Sequence, residues 1–302
     1  INLFRMTKPD VLFVSSPPIS LLILGYLYAK IRKVKLVVDI RDLWPEAAIS
    51  LKIIKKNWII NFVEKLVRKA YIFADKIIVN TNSFINVFSD YNLKHKTFYI
   101  PNGFDISKNL FIKSSLERES LEFKVFYSGL LGFAQNVDLL VETAIIAKKE
   151  NSDIKFFIIG EGPLKKQIID KINKYDLNNI VLFDYQIKED MFHLINECDL
   201  GVITYQINDA FRKNIPSKMF DYMFANKPIL INLEGEASRL IVNNDFGFVM
   251  ETNDPVIFYK RILEIKNNED LIEKGSNAFA CLKENFDKKI LLADLEKILI
   301  SK

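Results

Sequence analysis

The chain has 302 residues, of which 49% are hydrophobic and 26% charged, and its formal net charge is +4. This length allows two hydrophobic cores, and the composition excludes a disordered or fibrous protein. The mildly basic balance permits loose association with an anionic membrane surface but falls short of a nucleic-acid-binding protein, so nucleic acid is not expected as a partner. The two cysteines, Cys198 and Cys281, indicate neither a disulfide framework nor a metal cluster, and they fit a reducing, cytoplasmic compartment.

The first hundred residues alternate between apolar strands and helices. The pattern predicts strands at 10–16, 34–39, 76–80 and 97–100 and helices at 19–31 and 58–74. Because the first strands are apolar without interruption, we expect a parallel sheet that is covered on both faces. The helix over 19–31 is too short to span a bilayer. The chain opens with Ile1 rather than Met, and we expect an N-terminal portion to be absent from the sequence.

Charged and aromatic residues follow the second predicted strand, in Asp39-Ile-Arg-Asp-Leu-Trp-Pro-Glu46. The carboxyl ends of buried parallel strands are where ligands bind in open α/β sheets. Arg41, Asp42 and Glu46 are therefore candidate catalytic residues of the first domain. A structural Arg–Asp ion pair with a packing tryptophan is the alternative.

A change in composition separates two predicted domains. Residues 106–121 are rich in Ser, Lys and Glu without an apolar period, which is typical of a linker. We predict a first domain over 1–105, a second over 122–286 and a C-terminal helix over 287–302. Strands and helices alternate in both domains, so the fold class is α/β with two tandem Rossmann-like, doubly wound domains, the first incomplete at its N-terminus. We expect a ligand cleft that closes by a hinge.

Glycines follow the first two strands of the second domain, at Gly129, Gly132 and Gly160. Glycine allows the backbone to approach a ligand closely. Gly160-Glu-Gly-Pro163 lacks the third glycine of a dinucleotide fingerprint, because position 165 is Lys, so an NAD enzyme is not supported.

The segment 209–248 carries the most informative pattern. Ser217 is predicted to cap a short buried helix over 219–223, and Lys218 adds a positive charge to its first turn. A helix start of this kind binds phosphate through its free backbone amides. Asp221 lies on the same helix face as Ser217, where its carboxylate can accept hydrogen bonds from a ribose diol. Gly235-Glu236 opens a second helix after the apolar strand over 228–232.

Each of these features alone has an ordinary interpretation. Lys218 can be a solvated surface residue, Asp221 an exposed or paired carboxylate, and Gly235-Glu236 a turn with a helix cap. Their combination is what favours a binding site for an anionic, hydroxyl-rich ligand.

Five segments together resemble glycosyltransferase family 4, which has the GT-B fold. They are Arg41-Asp-Leu-Trp-Pro45, Tyr127-Ser-Gly-Leu-Leu-Gly132 with Gln135, Gly160-Glu-Gly-Pro163, Ile215-Pro-Ser-Lys218 with Asp221-Tyr222, and Gly235-Glu236. The segment that ends at Glu46 is similar to that of the O-antigen and capsule branch, which includes fucosamine-type transferases. The resemblance covers nearly the whole chain and implies further residues before Ile1.

The resemblance implies that Lys218 and the amides of residues 215–218 bind a diphosphate, while Asp221 binds the ribose. The other implied donor-binding residues are Gly129, Gly132, Gln135, Gly160, Tyr185, Gln186, Ser217, Gly235 and Glu236, with Tyr185 and Gln186 beside the base. Two positions depart from the family. Lys213 stands where relatives have a Glu that contacts the sugar, and Leu130 stands where relatives often have an Arg.

The implied activity is that of a retaining transferase that uses a nucleoside-diphosphate sugar as donor, without a metal or other cofactor. Its expected acceptor is a lipid-linked saccharide or an oligosaccharide in surface polysaccharide biosynthesis, at the cytoplasmic membrane face. Arg41, Asp42 and Glu46 are expected to contact acceptor or donor. Two alternatives stay open: a nucleotide-sugar epimerase of the same fold, and a truncated, non-catalytic nucleotide-sugar-binding or scaffold protein.

Overall fold

The computed structural model describes residues 7–45, 49, 54–107 and 122–300. The chain forms two compact units, one comprising residues 1–102 and 289–302 and the other residues 103–288. Of the predicted linker over 106–121, only residues 106 and 107 lie within the described residues.

The first unit is built on a four-stranded parallel sheet in the order β1-β2-β3-β4. Its elements are β1 (Val11–Ser16), α1 (Ile19–Arg32), β2 (Lys35–Ile40), α2 (Trp58–Phe73), β3 (Lys76–Val79), α3 (Asn82–Asp90) and β4 (Thr97–Tyr99). Strand β2 is almost wholly buried, as its unbroken apolar run predicts. Helix α2 begins at Trp58 because the Asn57 side chain accepts a hydrogen bond from the Ile60 amide.

The second unit contains a six-stranded parallel sheet in the order β10-β9-β8-β5-β6-β7. Its strands are β5 (Phe123–Ser128), β6 (Ile154–Ile159), β7 (Ile180–Phe183), β8 (Leu200–Ile203), β9 (Ile229–Ile231) and β10 (Gly247–Val249). The helices between and after them are α4 (Val137–Lys149), α5 (Lys165–Lys174), α6 (Lys188–Asn196), α7 (Ser217–Phe224), α8 (Glu236–Asn243), α9 (Pro255–Lys266) and α10 (Leu271–Asn285). The strand order reverses between β5 and β8, which is the feature that defines a doubly wound sheet.

Hydrophobic cores cover both faces of this second sheet. Along β5, Val125 and Tyr127 belong to one buried cluster, whereas Phe126 between them belongs to the other. This alternation follows from the two-residue period of a strand. The predicted α/β class with a parallel sheet in each of two domains is confirmed.

Two details at the end of the chain complete the fold. Strand β10 was not predicted, since its three residues carry no recognisable period. The last helix, α11 (Lys288–Ile300), belongs almost entirely to the first unit, where Lys76 donates a hydrogen bond to the Ile298 carbonyl.

Candidate active site

A cavity of about 540 Å³ opens at the carboxyl ends of the strands of the second unit. It lies beside the reversal of strand order between β5 and β8, where open α/β sheets bind ligands. Its lining residues are Ser128, Gly129, Leu130, Gln135, Ile159, Gly160, Glu161, Tyr185, Gln186, Met191, Tyr205, Pro216, Ser217, Lys218 and Asp221. The volume suits a small-molecule ligand.

Lys218 places a buried amine in the wall of this cavity. Its Nζ lies 3.7 Å from the centroid of the Tyr127 ring and has no hydrogen-bond partner in the described part of the chain. Burial lowers the pKa of Lys218 to about 7, and the Asp221 carboxylate partly opposes that change. A buried ammonium without an acceptor is costly, so this group is poised to gain an anionic partner.

Gly129 makes room for this amine. A Cβ atom at position 129 would lie 2.9 Å from Lys218 Nζ, and the backbone φ of +137° is one that side chains rarely adopt. The sequence predicts that Gly129 lets the backbone approach a ligand. In the structure, the absence of a side chain at Gly129 leaves room for the Lys218 amine. The Tyr127 hydroxyl donates to the Leu130 carbonyl at 2.9 Å, which fixes the ring on which the amine rests.

Asp221 forms an ion pair with Lys188, at 3.1 Å between Nζ and Oδ1. The Asp221 side chain is 16% exposed, and Lys188, at the first residue of α6, is 41% exposed. Burial raises the pKa of Asp221, and Lys188 is the largest opposing influence. Sequence analysis missed Lys188, which is separated from Asp221 by more than thirty positions and has the pattern of a surface lysine.

The N-cap of α7 lies one position earlier than predicted, and the helix begins two positions earlier, at Ser217. Pro216 occupies the N-cap position, and Ser217 is the first helical residue without a side-chain capping bond. The predicted role of Ser217 as N-cap is therefore wrong, because Pro216 has the extended backbone that a cap requires. Ser217 still lines the cavity together with Pro216 and Lys218, so the start of α7 forms part of the cavity wall.

Gly160 allows two loops to meet under the cavity. A Cβ at this position would lie 1.9 Å from the Gly129 carbonyl oxygen, which no rearrangement of a side chain could relieve. The Leu131 amide donates to the Glu161 carbonyl at 2.8 Å and joins the same two loops. The glycines are thus required for close backbone packing at the cavity floor.

Gln135, Tyr185 and Gln186 also line the cavity, and their role in donor binding stays a prediction. The Gln135 Oε1 atom is buried and lacks a hydrogen-bond partner within the described residues. Tyr185 is 74% exposed, and the Gln186 side chain donates to the Asp184 carbonyl at 3.3 Å. Gly132 does not line the cavity, but a Cβ atom at this position would lie 2.8 Å from Gln135 Oε1.

Gly235 and Glu236 do not line this cavity. Gly235 caps α8, and its amide donates to Ser238 Oγ at 2.7 Å. Glu236 donates through its amide to the Arg212 carbonyl at 2.6 Å and accepts through its carboxylate from Arg239 at 2.8 Å. The structure therefore gives both residues contacts that fix the start of α8, and their role in ligand binding stays a prediction.

In the first unit, Arg41 is anchored at the carboxyl end of β2. Its Nε donates to Asp39 Oδ2 at 2.8 Å, its guanidinium also donates to Asn102, and its carbonyl accepts from Asn80 at 3.2 Å. The carboxylate partner is thus the buried Asp39 of β2. Glu46 lies outside the described residues. The catalytic roles of Arg41, Asp42 and Glu46 stay predictions.

The part of the chain that forms this cavity matches a known protein family. The family model described as "Glycosyl transferases group 1" matches residues 109–279, which include every residue that lines the cavity. The chain belongs to the glycosyl transferases group 1 family. It is a glycosyltransferase, and the cavity lies in the part of the chain that carries the family signature.

Individual relatives are distant. The chain is 25% identical over 309 residues to the probable glycosyltransferase WbjE of Pseudomonas aeruginosa, covering 95% of this chain and 74% of that protein. It is 25% identical over 198 residues to a poly(ribitol-phosphate) alpha-N-acetylglucosaminyltransferase of Staphylococcus aureus (strain COL), covering 65% of this chain and 39% of the relative. The crystal structure of Anabaena HepE in complex with UDP superposes with a TM-score of 0.77 at 18% identity, covering 95% of this chain and 78% of HepE.

Proposed function

We propose that the chain transfers a sugar from a nucleoside-diphosphate sugar to a saccharide acceptor, with retention of configuration. The observation that carries the proposal is the buried amine of Lys218, a residue that lines the cavity at the start of α7 and whose Nζ lacks a hydrogen-bond partner among the described residues. A diphosphate supplies the anionic oxygens that this arrangement needs. Structures of HepE with UDP and with UDP-glucose support the choice of donor class.

The chemistry expected of this site is stabilisation of a leaving group. When the bond between the sugar and the diphosphate breaks, negative charge develops on the diphosphate, and a fixed ammonium with helix-start amides lowers the energy of that state. The groups are already in place before the ligand arrives, so little reorganisation accompanies the reaction. We propose that a metal ion is not required.

The finer assignment follows the sequence resemblance. We propose membership of glycosyltransferase family 4, in the O-antigen and capsule branch with fucosamine-type transferases, and a lipid-linked or oligosaccharide acceptor. The similarity to a transferase that is named for a poly(ribitol-phosphate) acceptor supports an acceptor that is itself a polymer.

The test is isothermal titration of the chain with a panel of UDP- and GDP-sugars, followed by product analysis with the donor that binds. We expect the chain to bind sugars of one nucleotide carrier, either UDP or GDP. Lys218→Met and Asp221→Ala are each expected to weaken this binding at least ten-fold (about 1.4 kcal/mol). Lys166→Met, an exposed lysine of the same unit, is the matched control. Absence of binding to every donor contradicts the proposal. Retention is tested by the anomeric configuration of the product.

We further propose peripheral association with the cytoplasmic face of an anionic membrane. No helix within the described residues is long and apolar enough to cross a bilayer. Helix α2, however, exposes Trp58 (78%) and Phe62 (58%), and Lys65 and Lys69 are exposed at the following positions of the same helix face. Exposed aromatic side chains beside lysines are typical of helices that lie in a lipid interface.

Vesicle sedimentation tests this association. The chain is expected to bind vesicles that contain anionic phospholipid more strongly than zwitterionic vesicles. The double variant Trp58→Ser/Phe62→Ser is expected to lose most of the binding. Ile272→Ser, which removes an equally exposed apolar side chain from the second unit, serves as the control. Equal binding by both variants contradicts the proposal.

A further inference from the structure

Two lysines at helix starts interact with Asp221, and neither position is favourable for the helix itself. Lys188 is the first residue of α6, and Lys218 is the second residue of α7. A cation in the first turn opposes the helix dipole. Residues that oppose a local preference in this way are often found at functional sites.

The contacts of the two lysines are different. Lys188 Nζ lies 3.1 Å from Asp221 Oδ1 and 4.4 Å from the centroid of the Phe104 ring. Lys218 Nζ interacts with Asp221 through longer-range electrostatics and has no hydrogen-bond acceptor among the described residues. Asp221 is therefore matched to Lys188, which leaves the amine of Lys218 available to a ligand.

The Phe104 ring holds Lys188 on a rigid support. The Phe104 amide donates to the Phe286 carbonyl at 2.8 Å, and its carbonyl accepts from the Lys288 amide at 2.9 Å. Its ring, 5% exposed, packs against Phe192 of α6. A cation over such a ring is attracted to its face, so Lys188 is held from two sides.

We infer that Lys188 is a positioning residue, which engages Oδ1 of Asp221 so that the second carboxylate oxygen accepts hydrogen bonds from a ribose hydroxyl of the nucleotide. This inference rests on the proposed function, since it supposes a nucleotide in the cavity. The carboxylate lines that cavity, whereas Lys188 is not among its lining residues. Lys188 thus acts on the ligand through Asp221. It sets the selectivity for ribose over deoxyribose without contact to the sugar.

The test measures binding of a ribonucleoside diphosphate and of its 2′-deoxy and 3′-deoxy analogues, with UDP or GDP chosen by whichever binds. The readout is the ratio of Kd values between a deoxy analogue and the ribonucleotide. For the wild type we expect a ratio of roughly ten or more for at least one analogue, because a hydrogen bond to a charged group is lost. Lys188→Met is expected to lower this ratio to that of Asp221→Ala, and Lys188→Arg to restore it.

Lys171→Met is the matched control, since Lys171 also bridges carboxylates, Asp138 and Glu142 at 2.5 Å each, but does not line the cavity. It is expected to leave the ratio unchanged. A ratio that Lys188→Met does not alter overturns the inference, as does a wild type that binds the ribonucleotide and both deoxy analogues equally; in either case nucleotide binding itself stands. A wild type that binds no nucleotide overturns the proposed function and the inference together.

Discussion

The buried amine of Lys218 leads to a prediction about pH. Its pKa of about 7 means that the free protein carries mostly the neutral amine at pH 8. A bound diphosphate favours the ammonium and raises the pKa, so binding at pH 8 is expected to take up about 0.9 proton from the buffer. If the ammonium is the form that binds, affinity is expected to fall about 15-fold between pH 7 and pH 8.5.

Isothermal titration in two buffers of different ionisation enthalpy measures this uptake directly. A nucleoside-diphosphate sugar is the ligand of choice, because its diphosphate has no proton to lose in this range. Lys218→Met is expected to bind at least ten-fold more weakly and to show neither proton uptake nor the pH dependence. Lys166→Met is expected to behave as the wild type. Affinity that does not change with pH in the wild type, without proton uptake, refutes the reasoning.

The same pKa predicts a change in stability with a defined sign. Between pH 7 and pH 10.5 the unfolded chain holds a proton on Lys218 that the folded chain lacks, so the free energy of unfolding contributed by this group rises with pH. Lys218→Met removes this dependence. Its stability relative to the wild type is therefore expected to be greater at pH 7 than at pH 9 by about 2 kcal/mol, measured by urea denaturation.

Three further substitutions test the site. Asp221→Asn is expected to raise the free energy of unfolding at pH 7, because burial raises the pKa of this carboxyl and the ionised form is costly, while nucleotide binding weakens; unchanged stability in urea contradicts this. Gly160→Ala is expected to lower the Tm by about 4–8 °C through a clash with the Gly129 carbonyl, and Gly132→Ala, which meets only side-chain atoms, by much less in the same calorimetric scan. Tyr222→Phe is expected to cost about 1–3 kcal/mol in chemical denaturation, because its buried hydroxyl accepts from the Ser128 amide at 3.1 Å and donates to the Val202 carbonyl at 3.3 Å.

The fold could be predicted because the spacing of apolar residues and the positions of turn-forming residues indicate the same elements along most of the chain. Strands β1, β3 and β4 and helices α1 and α2 each differ by one residue from their predicted bounds. Apolar runs of four to six residues followed by helical periods leave few alternatives to a parallel α/β sheet. The short strand β10 lacks such a run, and only its pairing with β9 defines it.

The candidate site could be predicted only in part. Helix starts and glycine loops are visible in a short stretch of sequence, whereas the contact partners of their side chains lie far away in the sequence. Lys218 and Asp221 were found because both belong to one helix turn. Lys188, the partner of Asp221, lies at the start of a different helix. The Tyr127 ring that Lys218 contacts belongs to strand β5. Such pairings depend on how the sheet orders its strands, which a single sequence does not encode in any short motif.

The arrangement of charges around Asp221 explains why the cavity needs both lysines. A single lysine beside this carboxylate would form a closed ion pair, and an incoming diphosphate would have to break it. With Lys188 bound to Asp221 at 3.1 Å, the second cation stays without an acceptor in the described part of the chain. Burial then keeps the pKa of Lys218 near 7 until an anion arrives. Loss of Lys188 is therefore expected to release Asp221 toward Lys218, so a Lys188→Met variant is expected to show a higher pKa for Lys218, visible as a smaller proton uptake on nucleotide-sugar binding at pH 8. An uptake equal to that of the wild type would show that the two lysines act independently.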